Sequence, residues 1–220
     1  MVRLYKSKLQ LPAKVINILE YHLKKGNVYD IIFSTLCEDC FDKCYICEEK
    51  GLKDPEIEHI IPHGDDPVLK LDWNNLLLAC GRCNNIKLAR YKNILNPLKC
   101  DPEEHIALSV NVMNNKIWQV YIESLKNDSS TLETVIVLDI VYNGGGTTIK
   151  NYGCEYVRKQ LLENIRRFER YIRGHREEPE EGYDRLILRE INRSSAFAAF
   201  KRKIIRDDLE LSEEFADALK

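Results

Sequence analysis

Cys44-Tyr45-Ile46-Cys47 and Cys80-Gly81-Arg82-Cys83 close the two ends of a segment that holds Glu58, His59 and Asn75, with Asn84 and Lys87 just beyond it. A four-thiolate site needs a tetrahedron of sulfurs, and two tight Cys-x-x-Cys turns supply two ligands each while the chain between them is free to carry other residues. Four sulfurs on one ion force that chain to return on itself. With no ligand position left open, the zinc implied is structural. Cys37 and Cys40 have the same spacing and rival Cys44 and Cys47 as the first pair; the 44/47 pair is preferred for its closeness to the hairpin. Cys100 and Cys154 stand alone and read as small buried apolar residues.

Metal is the natural reading of these cysteines if the compartment is reducing. The N-terminus has no signal-peptide pattern, and no apolar run approaches the roughly 20 residues that span a bilayer, so a cytoplasmic location and no membrane partner are expected. The 220-residue chain is long enough to bury a core without staples. A net charge of -2 and a pI near 6.2 give no global nucleic-acid signature, so any basic surface has to be local.

Pro12 to Lys25 has helical spacing and ends at Gly26, and Asn27 to Leu36 repeats the pattern. Glu56 to Ile61 reads as a short strand stopped by Pro62, Leu76 to Ala79 as its partner, and Asn84 to Leu95 as a helix, which together make a ββα unit. Arg82, Lys87, Arg90, Lys92 and Lys99 form a one-sided basic run that could track a phosphate backbone or simply be a solvated face. Alternation in Ile106 to Val112 and Trp118 to Ile122 around Asn114-Asn115 predicts a β-hairpin. Thr134 to Tyr142 is a buried segment that periodicity leaves open between helix and strand, followed by a glycine turn at 144–146. Cys154 to Ile172 is a helix with one apolar and one basic face; Gly174 to Gly182 reads as a linker, and Tyr183 to Asn192 and Ser195 to Asp208 as helices, the second capped by Ser194.

The residues enclosed by the cysteines are those that phosphodiester hydrolysis requires: an imidazole able to deprotonate water near neutral pH and oxygen donors for a hard cation. Singly, each has an ordinary structural role, a strand-end His or a turn Asn. In combination they resemble the HNH endonucleases, a ββα-metal family whose motifs stand here as CYIC, EHIIP, NLLLAC and CGRCNNIK. The resemblance implies that His59 is the general base, that Glu58 and Asn84 hold a catalytic magnesium or manganese ion, that Asn75 orients His59 through hydrogen bonds, and that Lys87 meets the phosphate. It also makes Arg82, Lys87, Arg90 and Lys92 the candidate nucleic-acid contacts. Asn84 stands where His is usual and Glu58 where Asp is common. Neighbours on a regular strand face opposite sides, so Glu58 and His59 share a site only if the strand end is irregular.

The early helices, the LDWNNLLLAC and NPLKCDPEEHI segments and SSAFAAFKRKIIRD are similar to the PtuB-like HNH component of Septu anti-phage systems. That likeness implies an ABC-type ATPase partner, PtuA-like, bound by the second half of the chain. The expected fold class is α+β and predominantly helical: a zinc-stapled ββα-metal core (44–95) within a nuclease domain (1–103), then a mostly helical partner-binding region (104–220) with a hairpin. The expected function is a metal-dependent endonuclease acting on nucleic acid, with DNA ranked before RNA, as a Septu-type effector. The rivals are a catalytically silent zinc module and a nuclease of restriction or homing type that acts alone.

Overall fold

A computed structural model describes residues 1–6, 27–64, 66–144, 148–177 and 181–220. The helix expected over 12–25 and the second and third glycines of the 144–146 turn lie outside the described residues. The architecture is α+β and predominantly helical, with two separate two-stranded antiparallel sheets.

Helix α1 (Asn27–Asp39) leads into the first knuckle, and β1 (Pro55–His59) pairs antiparallel with β2 (Leu76–Cys80) in the register Glu56↔Ala79, Glu58↔Leu77, His59↔Leu76. The strands are not joined by a simple loop. Asp66 caps a short helix α2 (Pro67–Leu71), accepting from Val68 N at 2.8 Å and Leu69 N at 3.4 Å, and a single 3-10 turn (Trp73–Asn75) then delivers β2. All five residues of β2 are buried, as a strand covered on both faces must be.

Helix α3 (Gly81–Lys87) follows directly and corrects the expected Asn84–Leu95 span at both ends. Cys80 serves as its N-cap, the sulfur accepting from Cys83 N at 3.4 Å, so the knuckle itself starts the helix. The helix stops where Leu88 takes a positive φ of 43°, and the chain from Tyr91 to Leu95 docks irregularly, with Leu95 N donating to Thr134 Oγ1 at 2.8 Å.

The hairpin β3 (Ile106–Met113) and β4 (Lys116–Ser124) turns on Asn114 and Asn115, both at positive φ, as a two-residue hairpin turn requires. Thr134 to Tyr142 is resolved as helix: α4 (Ser129–Asn143) is capped by Asp128, which accepts from Thr131 N at 2.9 Å, and buries Val137, Leu138, Val141 and Tyr142. Helix α5 (Thr148–Glu177) is longer than its apolar stripe, and α6 (Glu181–Ile191) follows. Of the expected linker at 174–182, residues 174–177 and 181–182 are helix, and 178–180 lie outside the described residues. Gly174 lies inside α5 because a Cβ there would sit 2.3 Å from the Tyr183 ring of α6.

Helix α7 (Ala198–Asp207) begins later than expected and is not capped by Ser194, whose hydroxyl donates to Asn192 Oδ1 at 2.6 Å instead. Its N-cap, Phe197, is in the left-handed region and offers no side-chain bond. The orphan donors are satisfied from far away in sequence: Phe197 N donates to Glu48 O at 3.1 Å, and Ala199 N to Glu48 Oε2 at 2.9 Å. The buried Glu48 carboxylate also meets the Met1 ammonium at 3.3 Å, so one side chain of the first knuckle ties both ends of the chain to it. A last short helix, α8 (Leu209–Glu214), was not expected from the sequence.

The main apolar cluster draws on both sides of position 103, with Ile46, Leu77 and Leu78 packed among Tyr142, Leu161, Phe197 and Phe200. Tyr142 OH donates to Cys47 O at 2.8 Å within it. A second cluster, Phe168, Ile172, Ile187, Ile191, Ile205, Leu211 and Phe215, holds α5 to α8 together. No helix among the described residues is long and apolar enough to cross a membrane.

Candidate metal centre and catalytic site

Cys44, Cys47, Cys80 and Cys83 are all buried, and their sulfurs lie within 4.8 Å of one another, Cys47 and Cys80 at 4.0 Å. A zinc ion with bonds of about 2.3 Å needs sulfurs roughly 3.8 Å apart, so the four donors fit a structural zinc. Burial opposes ionisation here, yet hydrogen bonds from Cys47, Cys80 and Cys83 outweigh it and hold the Cys44 thiol well below its ordinary value. Cys37 and Cys40 are not part of the cluster. Cys40 is buried in the apolar cluster beside them, and that burial pushes its thiol up to about 11.

His59 ends β1 with Nε2 3.0 Å from Lys70 O. A carbonyl only accepts, so Nε2 carries the hydrogen and Nδ1 of the neutral ring keeps its lone pair. Why that carbonyl is available follows from the length of α2: in a five-residue helix the last carbonyls have no intrahelical donor. Burial lowers the His59 pKa below the ordinary imidazole value, partly opposed by the Lys70 carbonyl and reinforced by His63, whose ring centroid is 4.5 Å away. The ring is thus neutral near pH 7.

Asn75 is buried and fixes this corner. Its Oδ1 accepts from Ile61 N at 2.8 Å, while Nδ2 donates to Ile61 O at 2.9 Å and to Leu69 O at 3.1 Å. It therefore clamps the exit of β1 against the helix end that bonds His59. Replacing Asn75 by alanine leaves a part-buried N–H and two carbonyls without this partner, and should lower stability by about 1–3 kcal/mol; urea unfolding at unchanged zinc content measures it.

Strand β1 is regular through His59, so alternation sends Glu58 to the opposite side from His59, against α3. There Lys87 Nζ meets Glu58 Oε1 at 2.7 Å and His59 O at 2.9 Å, and Tyr45 OH donates to Glu58 Oε2 at 2.7 Å. Burial raises the Glu58 pKa, with Lys87 and Tyr45 opposing it. Asn84, one helical turn before Lys87, donates from Nδ2 to Glu56 Oε2 at 2.6 Å. The residues expected to share a catalytic cation are consequently not brought together. Both Glu58 oxygens are engaged inside the fold and Asn84 faces Glu56, so the Glu58/Asn84 pair does not fit a magnesium or manganese ion in this arrangement.

Lys87 is likewise not placed to meet a phosphate, being fully buried on Glu58. Removing it strands that carboxylate: Lys87→Ala should cost about 3–5 kcal/mol, seen as a fall in the urea midpoint, and the double variant with Glu58→Gln should recover part of the loss. Arg82 also turns inward, Nη2 donating to Val141 O at 2.6 Å and to Cys154 Sγ at 3.0 Å. Of the expected nucleic-acid contacts, Arg90 and Lys92 are exposed. Glu56 and Tyr45 went unread in the sequence. A signal for them exists: Glu-x-Glu on a strand presents two carboxylates to one face, and Asn-x-x-Lys on a helix presents two donors at a matching rise.

Residues 44–90 match the family model described as HNH endonuclease. A curated relative, the Septu protein PtuB of Bacillus thuringiensis, is 33% identical over 110 residues, 44% of this chain and 43% of that protein. The matched part thus spans less than half of the relative's length. No solved structure matches the chain. The likeness to HNH endonucleases and to the PtuB-like group, read first from the motifs, is supported by both matches.

Proposed function

We propose that the chain is an endonuclease that hydrolyses phosphodiester bonds of nucleic acid, and that it acts as the nuclease of a Septu-type defence complex with an ABC-type ATPase. The observation that carries the reading is the state of His59: a half-buried imidazole, neutral near pH 7, with Nε2 tied to the Lys70 carbonyl and the Nδ1 lone pair unspent. In this reaction His59 Nδ1 takes the proton of a water as its oxygen attacks phosphorus, and the bond to the leaving oxygen breaks. Asn75 positions the base by holding the helix end that orients it, and the zinc module holds β2 and α3 against β1. The HNH likeness adds a divalent cation that would neutralise charge on the phosphate.

The engagement of Glu58 by Lys87 and Tyr45 favours one other reading, a zinc module that binds nucleic acid or a partner without cutting it. Co-expression with a PtuA-like ATPase, followed by incubation of the purified complex with plasmid DNA and total RNA in magnesium or manganese, separates the two. Cleavage by the wild-type complex is expected. Intact DNA and RNA in every divalent ion, with the ATPase bound, would establish the silent module.

A further inference from the structure

We propose that the groove between the β3–β4 hairpin and the N-terminal half of α5 binds a single-stranded segment of nucleic acid, with a base stacked on Trp118 and phosphates held by Lys116, Arg158 and Lys159. The proposal deepens the nuclease reading by giving it a substrate-holding surface away from His59.

The groove encloses about 600 Å³, with Ile117 and Leu162 in its lining beside those four residues. That volume falls within the roughly 300–1,000 Å³ of clefts that hold small ligands. Trp118, 68% exposed, is the most exposed aromatic side chain among the described residues. Strand alternation explains why: the neighbouring Ile117 and, past a register shift between Asn111 and Val112, Val120 take the buried positions of β4. A large indole left in water beside cations is costly for folding and useful for stacking.

The charges point the same way. Glu155 is the one acidic lining residue, against Lys116, Arg158 and Lys159, and among the described residues none of these three cations has an ion-pair partner. Along α5, Lys159, Arg166, Arg170 and Arg173 share a stripe covering about 21 Å at 1.5 Å per residue, with Glu163 beside them on the same face. Arg166 donates to Asn115 Oδ1, which ties that stripe to the hairpin turn. A mainly basic face that opens on an aromatic platform matches a phosphate backbone with unstacked bases better than an apolar protein surface.

The groove also adjoins the zinc-bearing core. The α5 turn that forms its wall meets that core on another side, with Lys53 Nζ 5.9 Å from the Tyr156 ring centre and Arg82 packed against Gly153. Arg82 and Lys87 are turned inward, so among the described residues this groove adds to the exposed Arg90 and Lys92 a second set of cations for the backbone of a substrate.

The test uses full-length, zinc-loaded His59→Ala protein, so that binding is measured without cutting, and a fluorescein-labelled oligothymidylate titrated between about 50 and 200 mM salt. Trp118→Ala is expected to weaken binding roughly 5- to 150-fold. Arg158→Gln with Lys159→Gln should reduce the slope of log affinity against log salt by about 1.4, two single-strand phosphate contacts. Trp118 emission should be quenched on binding in the parent and absent from the change in Trp118→Phe. Unchanged affinity, slope and emission at equal zinc content and equal urea midpoint would overturn the proposal. So would variants that keep the oligonucleotide but lose the co-expressed ATPase, which would make the groove a protein-docking site. A wild-type complex with the ATPase that binds as expected yet never cuts in magnesium or manganese would sink the nuclease reading and leave the groove assignment standing.

Discussion

Cys83→Ser is expected to lose zinc and to be unfolded at temperatures where the wild type is folded. Structural zinc contributes apparent binding energies of about 10–16 kcal/mol in small modules at neutral pH, against a typical domain stability of about 5–15 kcal/mol. Even part of that loss exceeds the margin. The damage would spread, because the four cysteines lie inside the main apolar cluster with Ile46, Leu77 and Tyr142, and Tyr142 OH is bonded to Cys47 O. Glu48, next to the knuckle, holds both the N-terminus and the start of α7, so the C-terminal helices lose an anchor as well. The measurement is metal content by mass spectrometry together with a thermal melt. Cys37→Ser is the control, since Cys37 is half-buried and outside the cluster, and it should keep one zinc. Loss of zinc in Cys37→Ser, with zinc kept by Cys47→Ser, would show the wrong first pair assigned.

His59→Ala carries the other large effect, on rate and not on stability. General base catalysis contributes about 10²- to 10⁴-fold, and the variant should cut slower by that factor with unchanged zinc content and an unchanged urea midpoint. The ring makes one hydrogen bond, to an exposed carbonyl corner, so little packing is lost. Its pH dependence has a defined sign. The folded pKa is depressed by burial, so the neutral, base-competent ring is present above the ordinary value of about 6.5 and persists somewhat below it. Activity then falls as pH drops through the depressed pKa, and the midpoint of that acid limb lies under about 6.5.

Much of this core was legible in the chain because its determinants are local. The Cys-x-x-Cys spacing, the Asn114-Asn115 turn and the stripe of Val157, Leu161, Ile165, Phe168 and Ile172 each act within a few residues, and each formed where expected. What escaped was set by facing and by distance in sequence. Motif spacing put Glu58 beside His59 but could not say that β1 stays regular through both, which turns Glu58 onto Lys87. Likewise Ser194 looks like a cap in a local window, whereas the donors of α7 are met by Glu48 from the opposite end of the chain. Asn84 to Leu95 kept a helical pattern on paper, yet Leu88 turns the chain out so that Leu95 can reach Thr134.

The central claim is that His59, held neutral by its surroundings and aimed by Lys70 O, is the base of a nuclease shaped by the zinc module. Single-turnover cleavage of nucleic acid across pH 5 to 8 by the ATPase complex, with wild type and His59→Ala compared at equal zinc content, tests it most directly. The wild type should show an acid limb with its midpoint below about 6.5, and the variant should be slower by about 10²- to 10⁴-fold and lack this limb. Equal rates for the two proteins, or the same acid limb in both, would contradict it.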